Sequence, residues 1–187
     1  MEKLRIEKII IGTQYENSEN YKKFVEIVKS KNLNVLIVQK GKRINIEKDI
    51  YIDVLWPSTK KIEENILNNN ALVFKIVYKN FSMLFTGDIE KVAEEKILKE
   101  INPAILKSDI LKVAHHGSKT STTQEFLDNV EPKIALIGVG KDNNFGHPSG
   151  EVIERLKSKD IKIYRTDEKG EIVLEVNKGG KITIDNK

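Results

Sequence analysis

The chain has no cysteine. That excludes a disulfide framework and every thiolate metal site, so a bound metal has only imidazole and carboxylate to rest on. Histidine is also scarce, with three in 187 residues. No His-x-His-x-Asp-His or similar cluster occurs, which leaves a dinuclear metal site short of ligands within this sequence. Apolar runs are short. Ile134 to Val139 is among the longest and falls far below the roughly twenty residues that span a bilayer. The stretch Met1 to Lys8 lacks the apolar core of a secretory signal. These absences predict a soluble chain, cytoplasmic by default. A strong excess of either charge is lacking as well. A net +4 favours approach to nucleic acid or anionic lipid but is too small to establish either. Low-complexity segments, linkers and internal repeats are absent, and 187 residues suit one domain, residues 1–187, with a real core.

What is present alternates between strand and helix periods. Ile6 to Ile11, Val35 to Val38 and Ile50 to Leu55 read as strands. Ser18 can cap a helix whose apolar face is Tyr21, Phe24, Val25 and Val28. Lys60 to Asn70 is polar and reads as a loop. Leu72 to Tyr78 and Phe81 to Phe85 flank Lys79-Asn80 as a hairpin. Ile89, Val92, Ala93 and Ile97 mark an amphipathic helix ending near Asn102-Pro103. Leu111 to Ala114 is a short buried strand. Thr122 with Glu125 reads as a capping box for a helix carrying Phe126, Leu127 and Val130. Ile134 to Val139 reads as a central strand, and Ser149 as the cap of a helix with Val152, Ile153 and Leu156. Lys162 to Tyr164, Ile172 to Val176 and Lys181 to Ile184 close the chain as strands, the last two joined at Asn177 to Gly180. The expected fold class is therefore α/β, a mixed sheet covered by helices, with open edges at the first and last hairpins.

The chemistry concentrates in three segments, each at the end of an apolar strand: Phe85-Thr86-Gly87-Asp88, Val113-Ala114-His115-His116-Gly117-Ser118, and Phe145-Gly146-His147-Pro148-Ser149. All three histidines fall inside them. Glycine beside each lets the backbone turn sharply. Asp88 can bridge cations with its two oxygens, and its plainer role is the cap of the helix starting near Ile89. His115 and His116 point to opposite faces of a strand unless the chain turns at Gly117. With that turn, one ring can ligate a metal or polarise a phosphate while the other holds the loop. Ser118, Lys119 and Thr120 form a small, hydroxyl-rich, basic stretch that can cradle a phosphate, or simply precede a capped helix. Pro148 stiffens the loop carrying His147, which suits a metal ligand or an ordinary turn. Lys141, Asn143 and Asn144 stand before it as a pocket mouth or a solvated loop.

Together, Thr86-Gly87-Asp88, the run Asp109 to Ser118 with its double histidine, and Gly146-His147-Pro148 resemble the C-terminal part of metallo-β-lactamase-fold hydrolases. The hydrolase domain of the ComEC/Rec2 competence DNA-uptake family is the most similar. Leu55-Trp56-Pro57, Asn69 to Val73, Tyr164 to Asp167 and Gly170 extend the resemblance over nearly the whole chain. It implies a partial αββα sandwich and, in a complete domain, two divalent metals (zinc or manganese). It also implies Asp88 and His147 as metal ligands, His115 and His116 as catalytic residues, and single-stranded DNA as substrate, cut at a phosphodiester. The metals would activate water and neutralise the phosphodiester. The family's first metal motif, of His-x-Asp-x-Asp-His type, is absent here. The resemblance therefore implies a truncated domain whose partner is the missing N-terminal half or the membrane channel portion. Two other readings are an inactive remnant or interaction module of the same fold, and a metallo-hydrolase with a substrate other than nucleic acid.

Overall fold

A computed structural model describes residues 6–14 and 17–186 of the chain. Residues 1–5, most of the stretch judged above to lack a signal, lie outside the described residues. The elements run β1 (Ile9–Ile11), α1 (Glu19–Ser30), β2 (Val35–Ile37), β3 (Arg43–Glu47), β4 (Ile50–Trp56), α2 (Ile66–Asn69), β5 (Val73–Tyr78) and β6 (Phe81–Phe85). They continue as α3 (Lys91–Glu100), α4 (Pro103–Leu106), β7 (Ile110–Lys112), α5 (Gln124–Val130), β8 (Ile134–Ile137), α6 (Gly150–Lys157), β9 (Lys162–Arg165), α7 (Thr166–Lys169), β10 (Ile172–Val176) and β11 (Ile182–Asn186).

Strands β3 to β9 form one seven-stranded sheet in chain order. From β3 to β6 neighbours are antiparallel, with the turn at Lys79-Asn80 closing the expected hairpin in the register Tyr78↔Phe81. From β6 to β9 they are parallel, and the crossovers carry α3, α5 and α6 as parallel pairing requires. This change of direction sets the site. Parallel strands send their C-terminal ends to one edge, so Asp88 after β6, His115 and His116 after β7, and His147 after β8 emerge together.

Alternation along the strands separates two apolar layers. Leu84, Leu111, Ala135 and Ile137 pack with Trp56, Ile89, Ile97, Phe126 and Leu156 in the core under the helices. Their neighbours Met83, Ile110 and Leu136 face the other way and meet Ile172, Leu174, Val176 and Ile182 of the antiparallel β10–β11 pair. Each large side chain fully buried this way contributes about 1.5–3 kcal/mol. Strands β1 and β2 form a separate parallel pair.

Several boundaries differ from the sequence reading. The first strand starts at Ile9. The segment read as a loop contains α2. Strand β3 was not expected: Arg-Ile-Asn-Ile-Glu buries little, and edge pairing to β4 defines it. Ser18 and Ser149 cap α1 and α6 as expected. The cap of α5 is Thr123, whose hydroxyl accepts from Phe126 N, and not Thr122. Thr122 is buried with a left-handed backbone, φ 53°. The carboxylate of buried Glu94 accepts the backbone N–H groups of both residues, and the Thr122 hydroxyl is buried with no hydrogen-bond partner.

Candidate functional site

Gly87 turns the chain after β6 at φ 55°, and a Cβ there would lie 2.9 Å from that of Ala71. Asp88 is not the cap of the next helix. Helix α3 begins at Lys91 with Glu90 in the cap position, so the Asp88 carboxylate is left for the site. The loop after β7 is more strained. His115, His116 and Gly117 have φ of 48°, 56° and 83°, three consecutive left-handed residues of which two carry side chains. Such backbone costs roughly 1–3 kcal/mol per residue and clusters where function requires it. The turn therefore begins at the histidines themselves, two residues earlier than expected. His115 N donates to Gly87 O at 3.0 Å, and Ser149 N to Gly117 O at 2.9 Å, so the three segments are tied together by backbone. A Cβ on Gly117 would sit 2.6 Å from Pro148 Cβ.

His116 Nδ1 lies 2.6 Å from Gly138 O. A carbonyl only accepts, so Nδ1 carries the proton and Nε2 holds a free lone pair. That lone pair is 3.7 Å from Asp88 Oδ1. Two acceptors face each other at a distance that a proton or a cation between them would make favourable. Metal–nitrogen and metal–oxygen bonds of about 2.0–2.2 Å each can span it. Gly138 is held in turn by Thr166, whose hydroxyl accepts from Val139 N at 2.8 Å and contacts Val139 O at 2.7 Å.

His147 completes the histidine cluster. Its ring centroid is 5.9 Å from that of His115, and the His115 and His116 rings are 6.4 Å apart. Burial, and then the neighbouring His115 and His116, hold His147 below the ordinary histidine pKa, which favours a neutral ring with a lone pair. Asn143 fixes its backbone from both sides, accepting from His147 N at 3.0 Å and donating to His147 O at 2.7 Å.

Ser118, Lys119 and Thr120 lie beside this cluster. The Ser118 and Thr120 hydroxyls are 3.0 Å apart, and Thr120 Oγ1 donates to Glu90 Oε1 at 3.1 Å. Lys119 is exposed and lines a cavity of about 590 Å³ with Lys91, Arg155 and Glu90. Three residues of the site were not singled out in the sequence. Glu90 touches the His115 side. Lys112, at the end of β7, is pulled below the ordinary lysine pKa by burial, against the opposing charge of Asp88. Phe145 is 81% exposed and stacks on His147 at 5.9 Å. Glu90 sits two residues from Asp88 and Lys112 lies inside the Asp109–Ser118 run, and both look like ordinary helix and strand charges. Phe145 was quoted only as part of its motif.

In donor chemistry and spacing, Asp88 and His116 fit a shared cation. Among the described residues, however, no three His, Cys, Asp or Glu side chains converge as a metal site.

No family model matches the chain. It is 32% identical over 168 residues to ComE operon protein 3 of Bacillus subtilis, covering 90% of this chain and 21% of the relative. It is 32% identical over 128 residues to Competence protein ComA of Neisseria gonorrhoeae, covering 68% of this chain and 18% of that protein. Among solved structures, a Parabacteroides distasonis protein assigned as a metal-dependent hydrolase superposes with TM-score 0.50 at 16% identity, over 86% of this chain and 64% of its own. The chain has the metallo-β-lactamase fold. It is similar to competence proteins of the ComEC/Rec2 family, and spans about a fifth of the length of the curated relatives it matches. No helix among the described residues is long and apolar enough to cross a membrane.

Proposed function

We propose that this chain supplies one side of the metal site of a competence-type hydrolase that cleaves a DNA phosphodiester, single-stranded DNA being the substrate. The observation that carries the reading is the meeting of Asp88, His115, His116 and His147 at one sheet edge, with the bare Nε2 of His116 facing the Asp88 carboxylate. Zinc or manganese would be held by Asp88 and an imidazole, His116 or His147, together with donors from outside the described residues. The natural source is a segment bearing a His-x-Asp-x-Asp-His motif, packed on the β1–β2 side, where Ile37 is 64% exposed. Ser118, Lys119 and Thr120 would line the approach of the phosphate. The names of the relatives, competence proteins, support DNA as the target.

The test is metal-dependent cleavage of single-stranded DNA by the purified chain, alone and combined with a polypeptide carrying the additional motif. The chain alone is expected to be inactive and the combination active. Asp88→Asn should lower the combined activity by at least about a hundredfold without loss of fold. Full activity in that variant would remove Asp88 from the site. Absence of activity in a folded, metal-loaded combination would favour a non-catalytic module of the same fold.

A further inference from the structure

We infer that Glu90 is a positioning residue for His115, keeping the imidazole proton on Nδ1 so that Nε2 is the open lone pair of the ring. The use made of that lone pair rests on the function proposed above; the placement of the proton does not.

Glu90 occupies the cap position of α3 yet makes no capping hydrogen bond. Its carboxylate is spent on other loops. Oε2 accepts from Asn65 Nδ2 at 3.1 Å and from Asn69 Nδ2 at 3.4 Å. Oε1 accepts from the Thr120 hydroxyl at 3.1 Å and faces His115 Nδ1 at 3.6 Å. That nitrogen is buried and has no partner within hydrogen-bond distance. A bare lone pair there would oppose a carboxylate oxygen in a shielded place, whereas an N–H would point its dipole at it. The side chains are 24% and 17% exposed, so water screens the pair little. Carboxylate to histidine contacts that choose the tautomer recur in metal and catalytic sites, and often tighten only once the site is complete.

Asn69 gives the arrangement a direction. Its Oδ1 accepts from Glu90 N at 3.0 Å and its Nδ2 donates to Glu64 O at 2.9 Å. The amide cannot flip without losing both bonds, so whatever atom stands at Oε2 must accept. In Glu90→Gln the amide oxygen therefore takes the Oε2 place and the NH₂ takes the Oε1 place. There it can donate to His115 Nδ1, and the imidazole proton moves to Nε2. A nearly isosteric change should thus invert the tautomer of a ring on a different loop.

The experiment is nitrogen-15 NMR of the histidine side chains in the full chain, without metal or DNA, well above the histidine titration range. The His115 signals are assigned by their loss in His115→Ala. In the native chain His115 should show a protonated Nδ1 and a bare Nε2. In Glu90→Gln the two nitrogens should exchange chemical-shift positions. Asn65→Ala, which weakens the brace at Oε2 and leaves the acceptor at Oε1, should keep the native pattern. A protonated Nε2 in the native chain overturns the inference even if the Gln variant does not fold. An unchanged pattern in Glu90→Gln overturns it as well, and so does inversion in Asn65→Ala, which would make Glu90 a brace alone. Because the readout involves neither metal nor cleavage, failure of the proposed function would leave it standing, and the reverse also holds.

Discussion

The parallel half of the main sheet and the β1–α1–β2 segment are built from the same kind of βαβ unit, and they are finished differently. In the parallel half, α3, α5 and α6 bury Ile97, Phe126 and Leu156 completely or almost so, and the loops after the strands are bonded to one another. In the N-terminal segment, α1 buries no residue, while Ile27 is 51% and Ile37 64% exposed. An amphipathic pattern thus does not guarantee a covered face. The parallel half is packed on both sides by its own chain, and it carries the strained His115-His116 turn.

Four perturbations sharpen the contrast. Phe126→Ala removes a ring from the core under the helices and should cost about 3–5 kcal/mol, measured by denaturant unfolding. A cost below about 1 kcal/mol would mean that this layer is loosely packed. Gly117→Ala places a Cβ against Pro148 and demands a left-handed alanine. About 1–3 kcal/mol is expected, with displaced His116 and His147 resonances. Native-like stability would show that the loop is free to shift. Glu94→Gln tests the buried carboxylate under the site. Burial raises its pKa, with the backbone N–H groups of Thr123 and Thr122 and the charge of Arg155 opposing. A carboxyl raised in the folded state binds more protons there than in the unfolded chain. Its contribution is complete below the ordinary glutamate range and is lost as pH rises from that range to the raised value. The native chain should lose stability relative to Glu94→Gln over that interval, as read from melting temperature against pH. The opposite slope would mean that the N–H bonds outweigh burial. Ile27→Ser, on the open face of α1, should change stability by no more than about 0.5 kcal/mol. A larger loss would mean that this face is covered in solution.

Much of the architecture was legible because it follows from local rules. The hairpin at Lys79-Asn80, the caps at Ser18 and Ser149, and the alternating strands each rest on a few neighbouring residues. The Thr122 capping box failed because two threonines are adjacent, and only the left-handed backbone and burial of Thr122 distinguish them. The site was legible as three motifs and not as a geometry. Glycine beside Asp or His at a strand end marked where the chain turns, but the direction of each ring depended on distant acceptors. Gly138 O sets His116, and Glu90, itself held by Asn65, Asn69 and Thr120, faces His115. Gly138 and Glu90 lie 22 and 25 positions from the rings they face, beyond any local pattern.

By itself the sequence determined the alternating α/β elements, the absence of thiolate chemistry and the confinement of all three histidines to strand-end turns, since composition and short-range periodicity carry that information. The tertiary structure alone decided that the turns share one edge, that His116 presents Nε2 to Asp88, and that a glutamate at an uncapped helix start faces His115. Strand order and the orientation of hydrogen-bonding groups across space are properties of the packed chain, and no stretch of adjacent residues encodes them.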